Sequence, residues 1–137
     1  ENKYRGVPEI RLHEIDGVTP FVIKGVEIIP IAGRHSSRFE VTGFRFGKVA
    51  YMTDFKEIED SEIEKLEGVE VLVINALRWE QHPSHFSVEE ACAVAERVKP
   101  QRTILTHLSH DIGLHAHAAE RLPEGVELGY DGMEIEI

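Results

Sequence analysis

The stretch VEVLVINAL, from Val69 to Leu77, constrains the fold more than any other, because its apolar side chains occupy both alternating positions. A strand with one wet face alternates apolar with polar, so a run apolar on both faces reads as a strand buried within a layered sheet. Helical spacing follows it. Ser87 and Glu90 have the separation of a capping box, and Val88, Ala91, Cys92, Val94, Ala95 and Val98 then fit a helix packed on a sheet and ended by Pro100.

The remaining segments extend this pattern. Residues 7–16 have the mixed polarity of an edge strand, and Pro20 interrupts before FVIKG. The run from Val26 to Gly33 reads as a strand in which Pro30, having no N–H, favours an edge or the end of a ladder. A loop carrying His35 is expected next. Val41–Phe46 and Lys48–Asp54 form a hairpin turning at Gly47-Lys48. Ser61 and Glu64 repeat the capping-box spacing ahead of a short helix with Ile63 and Leu66 on its stripe, stopped at Gly68. RTILTH supplies another strand, 114–122 a helix, and VELGYDGMEIEI a closing hairpin with Asp131-Gly132 at its turn. Strands first, then alternating strand and helix, make an α/β layered fold with helices covering one side of a sheet.

A chain of 137 residues suits one domain with a real core. Its formal net charge of -10 argues against a surface that wraps extended nucleic acid, although a small phosphate ester can still enter a locally positive, metal-loaded cleft. No stretch approaches a membrane span and no basic-then-apolar leader opens the chain, so a cytoplasmic enzyme is the simplest expectation. Cys92 is the single cysteine and lies on the apolar face of its helix, which assigns it to packing.

Several polar side chains stand where strands end. Asp54 closes the apolar run VAYMT, and its two oxygens suit it to contact two cations, although an isolated strand-end aspartate also serves as a turn cap. His107 ends TIL in the same manner, and neutral imidazole is a natural zinc ligand. His110 follows within reach of the same cleft if the turn is tight. His35 is flanked by Arg34 and Arg38, side chains suited to holding a phosphate oxygen. His82 and His85 flank Pro83-Ser84 at a helix entrance, where an imidazole can donate a proton and helix-end amides favour an anion. Each of these residues also has an ordinary surface reading. Trp79 and Phe86 serve equally as cleft walls or as packing. His13, His115 and His117 are weaker candidates, since the last two do not share a helix face, and Asp111 and Asp131 read as a cap and a turn residue.

Taken in order, IAGRHSSRF, GFRFGKVAYMTD, NALRWEQHPSHFSVEEA and RTILTHLSHD resemble the later part of the metallo-beta-lactamase superfamily, and look most like its PhnP phosphodiesterase and ribonuclease Z branch. The resemblance runs from about Val26 to the C-terminus and implies the C-terminal half of an αββα sandwich. It implies that His35, Asp54 and His107 are metal-binding positions, with Asp54 bridging two ions, and that His85 assists phosphodiester cleavage. His110 fits an additional histidine near the site and, beside the flanking Arg34 and Arg38 read from the sequence itself, is a candidate substrate contact. The family's His-x-His-x-Asp-His motif occurs nowhere in the sequence. The resemblance therefore implies a partial metallo-hydrolase domain over 1–137, with an incomplete site that two zinc or manganese ions would occupy only in an intact enzyme. Its implied substrate is a small cyclic phosphodiester, and its implied partners are the missing N-terminal half or, through an exposed apolar sheet face, a second copy. Alternatives are carboxylic ester or thioester hydrolysis on the same scaffold and a noncatalytic structural or binding module. The isolated chain is expected to be inactive.

Overall fold

The computed structural model describes residues 10–136. Its strands follow one another across one sheet in sequence order: β1 (Phe21–Ile23), β2 (Val26–Ser36), β3 (Phe39–Phe46), β4 (Val49–Met52), β5 (Val71–Asn75), β6 (Arg102–Thr106) and β7 (Val126–Leu128). Strands β1 to β4 are joined antiparallel, whereas β4 to β7 pair parallel. The parallel half needs crossovers, and these carry α1 (Asp60–Glu64), α2 (Val88–Val98) and α3 (His115–Ala119). Because successive parallel strands always advance in one direction, crossovers of one hand place all three helices on the same face.

Burial agrees with that geometry. Ile63 of α1, Ala91, Val94 and Ala95 of α2, and Ala118 of α3 share one core with Met52, Leu72, Ile74, Leu105 and Leu128 of the sheet. The opposite face holds a smaller cluster, Val49, Val71 and Ile104, against which Met133 and Ile135 pack. Toward β1 this second face is bare: Ile23, Val26, Phe46 and Tyr51 are all exposed. The cross-strand register Phe21↔Ile28↔Phe46↔Val49↔Val71 puts this apolar row on one surface.

Several expectations hold and others require correction. The buried strand, the helix with its Ser87–Glu90 capping box, and the hairpin at Gly47-Lys48 are all present. Gly47 has positive φ and Lys48 does not, the pattern of a turn needing glycine at its first central position. Strand β2 is an interior strand, yet β1 reaches only as far as Ile28, so Pro30 lies where the outer side of β2 has no strand partner. Side chains cover that side: Ala32 donates its N–H to Glu62 and Lys65 donates to the Pro30 carbonyl.

Residues 10–16 are not a strand: they join no ladder and leave Ile10, Leu12 and Ile15 exposed, and 7–9 lie outside the described residues. Helix α1 starts two residues earlier than the Ser61 cap requires, with Glu59 at its N-cap and no side-chain cap. Helix α3 is shorter than 114–122. The closing hairpin does not form among the described residues: Asp131 and Gly132 do make a turn, but Met133–Glu136 has no ladder partner. Among the described residues no helix is long and apolar enough to cross a membrane.

Candidate metal centre

Three strand ends and one loop converge on Asp54. Strand β4 runs buried through Ala50 and Met52, then the chain turns at Asp54 with φ 67°. His107 leaves β6 the same way, with φ 57°. Left-handed backbone is uncommon outside glycine, and Asp and His are among the few side chains that tolerate it. The chain is fixed immediately after Asp54. Phe55 is fully buried, and the Asn75 side chain imitates a strand partner: its Oδ1 accepts the Phe55 N–H at 2.7 Å and its Nδ2 donates to the Phe55 carbonyl at 2.9 Å. Phe55 packs so closely against β2 that a Cβ at Gly33 would stand 2.2 Å from its ring.

His35 lies within β2 rather than in a loop beyond it, at an irregularity where the β2–β3 register shifts between Arg34 and Ser36. Such a bulge re-aims a side chain. The His35 ring faces Asp54, with Nδ1 2.9 Å from the Asp54 carbonyl oxygen. A carbonyl only accepts, so Nδ1 carries the hydrogen and Nε2 is left with a free lone pair. Metal-binding histidines are commonly oriented by such a bond through the other nitrogen.

His85 stands between the other two imidazoles. Its ring centroid is 4.6 Å from that of His35 and 4.8 Å from that of His107, and its Nε2 is 3.4 Å from Asp54 Oδ1. His107 Nε2 is 3.5 Å from the same oxygen. Ligand atoms of His35, Asp54 and His85 lie within 4.8 Å of one another.

Burial pushes the Asp54 carboxyl up, but the hydrogen bond from Thr53, the charge of His107 and the bond from His85 outweigh it and hold the group below its ordinary range. The His85 imidazole is shifted down, chiefly by burial and also by His107 and His35, against the opposing pull of Asp54. An ionised carboxylate beside imidazole nitrogens is a donor set suited to a divalent cation. Of these side chains, His35, Asp54 and His85 stand close enough to share one such ion, with His107 Nε2 beside the same carboxylate.

The outlying candidates are not gathered here. Arg34 is exposed and faces Glu57 at 3.7 Å, and the exposed Arg38 sits in the β2–β3 turn. The His110 side chain is 95% exposed and faces Asp111 at 3.4 Å. Asp111 does not cap the helix that follows, whose N-cap is Leu114 with no side-chain bond, and Ser109 caps the 3₁₀ turn His110–Ile112. Phe86 joins the core, while Trp79 lies under the Arg121 guanidinium and donates to the Ile112 carbonyl. Cys92 packs against the main core, where burial and then Glu96 push its thiol up. Asn75, Thr53 and Ser84 around the cluster escaped the sequence reading as site residues. Asn75 had one visible signal, a polar residue inside the most apolar run of the chain.

The sequence matches the Beta-lactamase superfamily domain over residues 1–108. This chain belongs to that family. Its fold is similar to that of a diphosphatase from the PhnP family, with TM-score 0.87 and 35% identity, covering 93% of this chain and 49% of that one. Human tRNase Z, short form, shares the fold at 17% identity and TM-score 0.66, over 85% of this chain and 45% of the human one. In sequence the chain is 36% identical over 135 residues to an octanoyltransferase of Porphyromonas gingivalis (strain ATCC BAA-308 / W83), covering 98% of this chain and 27% of that protein. The chain thus spans about half the length of these solved structures and about a quarter of the curated relative. The seven-stranded mixed sheet with its helical layer is the metallo-beta-lactamase fold that these structures share.

Proposed function

We propose that the chain contributes one side of a dinuclear centre in a metal-dependent phosphodiesterase acting on small cyclic phosphodiesters, with the remaining ligands coming from residues outside it. The observation that carries this reading is the convergence of three imidazoles on Asp54: His85 and His107 stand beside its carboxylate, and His35 bonds its backbone carbonyl. Similarity to a diphosphatase at 35% identity supports phosphoryl chemistry over other uses of the scaffold. The same reading takes the bare apolar sheet face as the seat of the other half of the sandwich.

When bound, divalent cations would supply an activated water nucleophile and offset the charge that builds on the phosphoryl oxygens. Asp54 stays ionised and places its two oxygens toward the cleft, while His35 and His107 offer imidazole nitrogens on either side of His85. His85 is placed to give its Nε2 hydrogen to the leaving alkoxide as the ester P–O bond breaks, which avoids expelling a strongly basic oxyanion. The test is His85→Ala in the longer protein, assayed on cyclic phosphodiesters and on thioesters. Selective loss of phosphodiester turnover is expected, and undiminished turnover would overturn the assignment.

A second reading, ester or thioester hydrolysis on the same scaffold, draws on the octanoyltransferase similarity. It predicts faster turnover of octanoyl thioesters than of any phosphodiester, with indifference to His85→Ala. A noncatalytic module would show neither turnover nor metal uptake.

A further inference from the structure

His85 has a second nitrogen that the proposed reaction does not use, and its surroundings are specific. Nδ1 is 3.0 Å from Ser84 Oγ and 3.3 Å from His82 Nδ1. His82 Nδ1 in turn is 3.3 Å from the Ser84 backbone nitrogen and 3.2 Å from Ser84 Oγ. These contacts restrict where the hydrogens sit. A backbone N–H only donates, so His82 Nδ1 is an acceptor and has no hydrogen to offer His85. On the far side of the ring, an ionised Asp54 only accepts, so His85 Nε2 carries the hydrogen. In the neutral ring, Nδ1 is then bare and needs a donor. Of the two polar groups beside it, Ser84 O–H alone supplies one.

We infer that Ser84 is the positioning residue of His85: its hydroxyl donates to Nδ1 and so keeps the ring hydrogen on Nε2, aimed into the cleft, while His82 anchors Ser84 by accepting its backbone N–H. Neither Ser84 nor His82 touches the reacting atoms in this scheme. Pro83 lies between them in the chain, and its ring limits the backbone of this short loop. The inference rests on the proposed role of His85, but it concerns which nitrogen is protonated, and that is observable without turnover.

The experiment uses the longer protein carrying this chain, labelled with ¹⁵N-histidine, with His85 assigned by comparison with His85→Ala. Ring-nitrogen shifts in the metal-free protein are expected to show His85 with a bare Nδ1 and a protonated Nε2. Ser84→Ala should mix the two tautomers and lower kcat on the phosphodiester about tenfold with KM little changed, the usual scale for losing an orienting partner. Ser84→Thr, which keeps the hydroxyl, should restore both. A wild-type His85 carrying its hydrogen on Nδ1 overturns the inference whether or not the Ala variant folds. So does a folded Ser84→Ala that keeps both the tautomer and kcat. If His85→Ala leaves phosphodiester turnover intact, the functional reading fails separately, and the tautomer measurement still stands.

Discussion

The ends of the buried strands and the exposed shoulder residues at β2 and after β6 carry similar chemistry to different effect. Asp54 and His107 leave β4 and β6 in left-handed backbone and are fixed by buried neighbours, whereas Arg34, Arg38 and His110 carry charge or imidazole on solvent-facing surface, where Arg34 and His110 face Glu57 and Asp111. Residue type is therefore not what separates the two groups. A side chain joins the cluster when the backbone behind it is held by the core, since a site needs its groups held to a fraction of an ångström.

The sharpest way to break this comparison is at Asp54. Asp54→Asn in the longer protein keeps the shape and removes the charge, and should lower turnover by about two to three orders of magnitude, roughly 3–4 kcal/mol of barrier. Steady-state kinetics decides this, and a loss below tenfold would place Asp54 with the shoulder residues. Next is the support behind it. Asn75→Ala strands the Phe55 N–H and carbonyl in a fully buried position and should cost about 3 kcal/mol in denaturant unfolding.

Glu90 gives a smaller effect that depends on pH. Burial pushes its carboxyl up, but Lys56 at 2.6 Å and the Ser87 bonds of the capping box outweigh that and hold it below its ordinary range. A group depressed in the folded state contributes stability above its unfolded pKa, near about 4.3, and loses it as pH falls through the lower folded value. Glu90→Gln should therefore flatten the acid limb of a melting-temperature profile below about pH 4. An unchanged limb would show that the Lys56–Glu90 pair contributes nothing measurable. The smallest effect belongs to the shoulder: Arg38→Ala should change stability by less than about 0.5 kcal/mol. A large fall in phosphodiester affinity on that substitution would return Arg38 to the substrate contacts.

Much of this architecture was legible because its signals are local. The doubly apolar run around Leu72, the Ser87–Glu90 box and the turn at Gly47 each declare themselves within a few residues. Asp54 and His107 were visible as polar ends of apolar strands. RHSSRF is polar and by itself reads as a loop, and only the pairing with β3 carries the strand through His35 to Ser36. The Ser61 box failed because Glu59 takes the N-cap, a competition of two residues that spacing does not decide. MEIEI alternates like a strand and does pack Met133 and Ile135 inward, but a ladder needs a neighbour, and none lies beside it among the described residues. The hydrogen-bonded role of Asn75 depends on a residue twenty positions away, and no local pattern encodes it.

The central claim is that His35, Asp54 and His107 are metal ligands whose set is completed outside this chain. Metal content and zinc affinity, measured side by side for residues 1–137 and for the longer protein and repeated with Asp54→Asn and His110→Ala, test it directly. Tight uptake of two ions by the longer protein, lost with Asp54→Asn and kept with His110→Ala, together with weak uptake and little or no turnover by residues 1–137, is the predicted result. Equal affinity in both proteins, or uptake indifferent to Asp54, would contradict it.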